Sequence, residues 1–293
     1  MKQLLILSGK GGTGKTTVAG ASIKLNNSKA YADCDVDAPN LHLIAKHNNM
    51  PVQKDYYGLP KAHIDASLCM ECGLCQKCCR FGAIHYKENY SVDPNACEGC
   101  GVCEFVCPAH AVSLKEAVAG ELFLYTDESV FSTAKLKMGS GTSGKLVTQV
   151  KNQLITATKN IDLAIIDGSP GIGCPVIASL SGASIALIVT EPSVSGISDM
   201  ERVIKTAKHF GVQTVICVNK YDTNLVNTQK IKDYCKRNCL TFAGKIPYDE
   251  CAIKAINEGK SVVDIDCPSG EAIKTLYRKV MEIMKGDRQN EDN

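Results

Sequence analysis

The sequence predicts an α/β protein, a mostly parallel sheet flanked by helices, interrupted by a smaller α+β unit of another kind. Three observations carry this. Short apolar runs of the kind buried on both faces of a parallel sheet recur at residues 4–7, 161–166, 184–190 and 214–219. The first run leads into a glycine-rich loop and then a segment that can be helical. Between residues 62 and 116 the alternation of strand-like and helix-like stretches stops, and a regular cysteine spacing takes its place.

Composition sets the frame. The chain has 293 residues, 44% hydrophobic and 22% charged, which is the profile of a globular protein with a core and excludes a disordered chain. A formal net charge of +2 gives no bulk attraction to nucleic acid or anionic lipid, so no specific nucleic-acid partner is implied. The opening Met1-Lys2-Gln3-Leu4-Leu5-Ile6-Leu7 runs straight into the glycine loop, so it reads as a core strand rather than a signal peptide. No stretch reaches the roughly 18 apolar residues of a membrane span. A cytoplasmic, reducing setting is therefore expected, where the clustered members of the chain's 16 cysteines are more often metal ligands than disulfides.

The glycine loop is Gly9-Lys10-Gly11-Gly12-Thr13-Gly14-Lys15-Thr16-Thr17. It meets G-x-x-x-x-G-K-[ST] in full, and its setting between a strand and a helix is that of a phosphate-binding P-loop rather than a merely flexible turn. Glycines let successive backbone N–H groups curl around phosphate oxygens, and the helix N-terminus adds partial positive charge. Lys15 is expected to reach the β- and γ-phosphates, Thr16 to ligate Mg²⁺, and Thr17 to bond near the α-phosphate. Acids at the carboxyl ends of parallel strands point toward the same crevice. Asp35 is the first candidate to orient an attacking water and Asp33 the second, while Asp37 reads equally as a cap or turn residue. The buried run ending in Asp167-Gly168 suits the acid that holds the Mg²⁺ shell, with Gly168 near the γ-phosphate.

Lys10-Gly11-Gly12-Thr13-Gly14-Lys15-Thr16 resembles the deviant Walker A motif of the MinD/ParA/Mrp/nitrogenase-reductase group, and residues 29–41 resemble that group's second strand and switch region. The resemblance implies a P-loop ATPase that closes as a homodimer with ATP at the interface, Lys10 reaching the partner's nucleotide. It places Asn219 near the adenine. Asn219-Lys220-Tyr221-Asp222 also matches the N-K-x-D element by which GTPases read guanine, but the stretch after Asp167 lacks their D-x-x-G switch. The resemblance favours ATP/ADP as the nucleotide.

The cysteine region contains one pattern twice. Cys69, Cys72, Cys75 and Cys79 recur 28 positions later as Cys97, Cys100, Cys103 and Cys107. Each set is the C-x2-C-x2-C-x3-C run of bacterial ferredoxins, in which the fourth cysteine of a run ligates the other cluster. Two [4Fe–4S] clusters are expected, one on Cys69, Cys72, Cys75 and Cys107 and the other on Cys97, Cys100, Cys103 and Cys79. Zinc would need only two cysteine pairs and leaves the duplicated three-plus-one runs without a reason. Two features depart from the pattern: Arg80 stands where proline usually follows, and Cys78 sits beside Cys79 as a competing thiol. Cys34, Cys174, Cys217 and Cys251 read mostly as small core residues. Cys235 and Cys239 could share a helix face.

The expected organisation is a nucleotide-binding domain made of residues 1–61 and 117–293, with a ferredoxin-like domain at 62–116. The basic, glycine-rich stretch 137–145 reads either as a plain turn before a helix at 146–158 or as a loop near nucleotide or partner. The C-terminal stretch 271–285 reads as a packing helix rather than a membrane-targeting one. Two functions fit. In one, ATP binding and hydrolysis are coupled to electron transfer, or to assembly or delivery of a metal centre on a partner protein. In the other, the chain is a positioning or partitioning ATPase whose clusters are structural or sense redox state.

Overall fold

The computed structural model describes residues 1–45 and 47–286. In chain order the elements are β1 (Lys2–Ser8), α1 (Lys15–Asn26), β2 (Ala30–Asp33), β3 (Val52–Tyr57), β4 (Lys61–Ile64), α2 (Leu74–Cys78), β5 (Ile84–Tyr86), β6 (Tyr90–Val92), α3 (Val102–Phe105), β7 (Val112–Lys115), β8 (Val118–Thr126), β9 (Val130–Leu136), α4 (Ser143–Ala157), β10 (Leu163–Pro170), α5 (Cys174–Leu180), β11 (Ile185–Thr190), α6 (Val194–His209), β12 (Gln213–Asn219), α7 (Leu225–Arg237), β13 (Thr241–Ile246), α8 (Glu250–Asn257) and α9 (Pro268–Gly286).

Among the described residues nine strands form one sheet in the order β13-β12-β11-β1-β10-β2-β9-β8-β3. The pairings from β13 to β9 are parallel, and β8 runs against its neighbours β9 and β3. The four apolar runs of the sequence are the centre of this sheet. Alternate residues of β1 go to opposite layers: Leu5 and Leu7 pack with α4, α5 and α6, while Leu4 and Ile6 pack with α1 and α9. Period-two side-chain direction makes each central strand apolar on both faces, so these strands read as runs rather than as alternations.

β3, β8 and β9 extend the sheet without having been foreseen as strands. β9 is buried from Phe131 to Ala134, whereas β8 is partly and β3 mostly exposed. β3 has one buried residue, Tyr56, whose hydroxyl donates to the carbonyl of Thr142. α9 spans Pro268–Gly286 and packs on β13 and α1, burying Ile273, Leu276, Val280 and Met284, as expected of a packing helix. Among the described residues no helix is long and apolar enough to cross a membrane.

Residues 61–115 stand outside the large sheet. β4 pairs with β7 and β5 with β6, each as an antiparallel two-stranded sheet. The segment leaves from the edge strand β3 and returns through β8, its antiparallel neighbour. Two paired strands bring both ends of the segment to one place, so the main sheet continues undisturbed beneath it.

Candidate functional site

The phosphate-binding loop lies between β1 and α1, and α1 starts at Lys15 behind Gly14, whose φ of 89° falls in the left-handed region. Gly14 is also required by space: a Cβ there would stand 2.3 Å from Nδ2 of Asn219, whose amide donates to the carbonyl of Thr13 at 2.8 Å. Lys15 is buried, and its ammonium sits 2.6 Å from Oδ1 of Asp167 and 3.8 Å from Oδ2 of Asp35. Burial works against the Lys15 charge, but the carboxylate of Asp167, with Asp35 and Asp33 behind it, outweighs this and raises its pKa. Thr16 donates to the other oxygen of Asp167 at 2.7 Å. Lys15 and Thr16, adjacent at the start of α1, thus meet an acid of β10 that lies 152 and 151 residues further along the chain.

The two candidate acids on the second strand differ in kind. Asp33 is fully buried and lies in register with Asp167 across β2 and β10. Its Oδ1 accepts the N–H of Asp35, and its Oδ2 accepts those of Asn40 and Leu41 at 2.9 Å each. Burial, then the nearby Asp167 charge, push its pKa up to about 7. These bonds tie the segment 35–41 back to the strand end, so Asp33 shapes the loop that carries Asp35. Asp35 is half-buried beside Lys15, and burial raises its pKa also, against the pull of Lys15. Asp37 is exposed in a turn. Gly168 has a packing reason for its identity: a Cβ there would meet Leu7 Cδ2 at 2.5 Å and Leu5 Cδ1 at 2.9 Å.

Gly12, Gly14, Thr17 and Asn219 line one side of a cavity whose other side is Pro247, Tyr248, Asp249 and the α8 residues Ala252, Ile253 and Ile256. It has an apolar wall and joins the helix N-terminus, a concave site with a few polar groups of the kind that takes a small ligand. Gly11 and Gly12 are exposed, and Thr13 is buried with its hydroxyl unpartnered. One oxygen of Asp222 is taken by the N–H of Tyr248 at 2.8 Å. The last residue of Asn219-Lys220-Tyr221-Asp222 therefore has a task in holding this wall.

Sequence reasoning assigned no role to Glu191, Ser193 or Lys220, which the structure brings to the loop. Glu191 accepts from Lys220 at 2.6 Å and from Lys10 at 3.3 Å, and Lys10 also reaches Ser193 Oγ at 3.4 Å. Glu191 follows directly after the end of β11, the same strand-end rule that selected Asp33 and Asp167.

The eight repeat cysteines gather at two small cavities. Cys69, Cys72, Cys75 and Cys107 line one, with Ile64, Leu74 and Val112 around them. Cys79, Cys97, Cys100 and Cys103 line the other, with Ala62, Ile84 and Val92. The fourth cysteine of each run has crossed to the other run's cavity, and Cys78 lines neither. The duplication is visible in the backbone. Asp65 N–H bonds to Ala111 O at 2.8 Å and Asp93 N–H to Ala83 O at 2.7 Å. Gly73 and Gly101 turn with φ of 74° and 76°. Amides of Ala62, Ala83 and Ala111 point at the sulfurs of Cys97, Cys79 and Cys107 at 3.5, 3.4 and 3.3 Å. All sixteen cysteines are free. Among the described residues no three His, Cys, Asp or Glu side chains converge closely enough for a single metal ion.

The remaining thiols divide. Cys34 and Cys217 are core residues as expected, and burial pushes Cys34 up to about 12. Cys174 and Cys251 are exposed, contrary to the expectation of core positions, because each lies in the first turn of a helix at the sheet's rim. Cys235 is buried in α7 while Cys239 lies beyond its end at φ 54°, so the two do not share a helix face.

With this geometry in view, residues 4–262 match the family described as the CobQ/CobB/MinD/ParA nucleotide binding domain. The chain belongs to this family. Its members are nucleotide-binding ATPases. An uncharacterized protein of Methanocaldococcus jannaschii is 32% identical over 286 residues, covering 96% of this chain and 97% of that one. An iron-sulfur cluster carrier protein of the same organism is 22% identical over 305 residues, covering 98% and 86%. The solved septum site-determining protein MinD of Pyrococcus horikoshii, complexed with Mg-ADP, has a TM-score of 0.57 at 17% identity and covers 97% of each chain, a likeness of fold.

Proposed function

We propose that this chain is an ATP-binding and ATP-hydrolysing iron–sulfur protein, in which a nucleotide-driven dimer switch is coupled to electron transfer or to assembly or delivery of a metal centre on a protein partner. It consists of a nucleotide domain, residues 1–61 and 117–293, and a ferredoxin-like domain at 62–116. The observation that carries the reading is the gathering of four cysteines, three from one run and one from the other, at each of two cavities. Four thiols lining a cavity yet too far apart for one ion suit a four-iron cubane better than zinc, which needs its sulfurs about 2.3 Å from a common centre.

The residues fit the groups they would hold. Cys69, Cys72, Cys75 and Cys107 would hold one cluster, Cys97, Cys100, Cys103 and Cys79 the other. A bound cluster supplies a one-electron couple. The chain's own contribution is to present the cysteine sulfurs, aim backbone amides at three of them and line both cavities with Ala, Ile and Val. At the nucleotide site Thr16 and Asp167 already share a hydrogen bond, the side-chain pair that would hold Mg²⁺. Lys15 is poised for the β- and γ-phosphates and Asp35 to orient water, while Asp33 positions the Asp35 loop. Asn219 closes the base subsite against the loop, which favours ATP over GTP together with the engaged Asp222. The carrier relative is consistent with a role in metal-centre delivery.

The fold likeness to MinD keeps one second reading, a positioning ATPase with structural or redox-sensing clusters. Anaerobic purification with iron and sulfide counting tests the first reading, with about eight iron per chain expected for two four-iron clusters. Zinc in place of iron would sink it. Nucleotide-dependent reduction of an added acceptor, or transfer of iron to an apo-protein, separates it from a positioning switch with inert clusters.

A further inference from the structure

The carboxylate of Glu191 lies between two ammonium groups that come from different loops. Lys10 belongs to the phosphate loop, and Lys220 follows β12. Lys220 Nζ is 2.6 Å from Oε1 and Lys10 Nζ is 3.3 Å from Oε2, so each oxygen serves one cation. The acid is more sheltered than the lysines, its side chain 18% exposed against 35% for each. Burial alone would raise its pKa, but Lys220 and then Lys10 outweigh this and hold it below the usual range.

The connections close into a ring. Lys220 sits in the left-handed region, its N–H bonds to Asn219 Oδ1, and Asn219 Nδ2 donates to Thr13 O. Lys220 Nζ also approaches Gly12 O at 3.4 Å. One carboxylate thereby grips the phosphate loop near its start, through Lys10, and near its end, through Lys220 and Asn219. The nearby acid Asp199 does not compete, since its hydrogen-bond partner is Arg202 at 3.4 Å.

Two cations held by one oxyanion beside a phosphate loop are a site whose ligand can be exchanged. Without Glu191 the two ammonium groups would repel. A phosphate oxyanion presents the same charge-assisted acceptors as a carboxylate. We infer that Glu191 is a built-in stand-in for a phosphate group: it holds Lys10 within its own chain until a nucleotide phosphate takes over that lysine. This rests on the nucleotide-binding reading above. Glu191 is then a positioning residue that sets the ATP concentration at which Lys10 is released. The phosphate could be that of the chain's own nucleotide or of a second copy's, and both offer the same oxygens.

The test compares wild type, Glu191→Gln, Lys10→Ala and the double variant as full chains, titrated with a fluorescent ATP analogue. Titration at high dilution reads the chain's own nucleotide, and light scattering against ATP at raised protein concentration reads a second copy's. Glu191→Gln keeps the shape and one acceptor but removes the competing charge. It is expected to lower the half-saturating ATP concentration roughly three- to tenfold in one of the two arms. The gain should shrink in Glu191→Asp, which keeps the charge at shorter reach, and vanish in the Lys10→Ala background. No shift in either arm, or a shift that persists without Lys10, overturns the inference while leaving nucleotide binding by wild type intact. Absence of binding by wild type removes the nucleotide reading itself, and the stand-in with it.

Discussion

The nucleotide half and the cysteine segment build their sites in opposite ways. The nucleotide site collects Lys15 from the start of α1 and Asp33, Asp167, Glu191 and Asn219 from in or just after four different strands, across more than two hundred residues of chain. It rests on a sheet whose central strands are fully buried on both faces. The cysteine segment takes three ligand candidates from each seven-residue stretch and crosses only the fourth. Its own buried cluster among the described residues is Ala62, Cys75, Ala83, Ile84, Cys97, Cys103 and Val112, so three of its seven members are cysteines. A unit this small buries too little apolar surface to be stable without a staple. The thiols are therefore part of the core as well as the site, whereas the nucleotide half needs no ligand to hold its strands together.

That contrast gives its largest effect on removal of metal. Stripping iron with an oxidant and a chelator is expected to make residues 62–116 sensitive to protease throughout, because bound metal is folding free energy in such units. The nucleotide half should stay protected and keep binding ATP. Continued protection of the segment after complete iron loss would show that its few apolar residues suffice. The reverse experiment is Lys15→Ala, expected to lower ATP hydrolysis by about a hundred- to a thousandfold, the scale for losing one preorganised charge-stabilising donor. Iron content should not change, and a parallel loss of iron would show the two regions to be interdependent. Within the segment, Cys79→Ala should cost about half the iron while Cys78→Ala keeps it, since only Cys79 lines a cavity. Equal losses would mean that the two neighbouring thiols exchange as ligands.

How much of this could be read from the sequence follows the same division. The loop from Gly9 to Thr17 and the eight cysteines are local patterns, each with its chemistry in the spacing. The expected crossing of Cys79 and Cys107 came from the ferredoxin pattern that the runs match, and each of the two lines the other run's cavity. The strands β3, β8 and β9 were not legible, because β3 has a single buried residue, Gly120 and Glu121 interrupt β8, and Ser132 and Thr133 interrupt β9. Nor was the clasp of Glu191 on Lys10 and Lys220, whose members come from three loops and meet only after the sheet has formed. Cys174 and Cys251 were misplaced for a related reason. Apolar neighbours in sequence do not fix the side of a helix that a thiol faces. Of the stretch 137–145, residues 137–142 form the turn before α4 and the rest opens that helix. A Cβ on Gly144 would meet Cys174 Cβ at 3.0 Å, and one on Gly141 would meet Glu98 Oε2 at 3.2 Å.

The smallest effect concerns the electrostatic cost of the acids buried in the sheet. Asp33 and Asp167 are neighbours in register, both fully buried, and the buried Lys15 pairs with Asp167 rather than with Asp33. Burial and the adjacent Asp167 charge raise Asp33 to about 7, against an ordinary value of 3.8 in the unfolded chain. Between these values the folded state holds a proton that the unfolded state has released. Stability contributed by Asp33 is therefore fully present below about pH 4 and is lost as the pH rises through 7. Asn at this position mimics the protonated acid and does not titrate. Asp33→Asn should thus flatten the fall in the denaturation midpoint of the nucleotide half between pH 4 and 7, followed by circular dichroism in urea. The variant also turns an amide toward the N–H of Asp35 or those of Asn40 and Leu41, so its midpoint should lie below that of wild type at pH 4. The two curves should then converge as the pH rises. Parallel curves would mean that the three backbone N–H donors keep Asp33 ionised, and that the proton of the buried pair sits elsewhere.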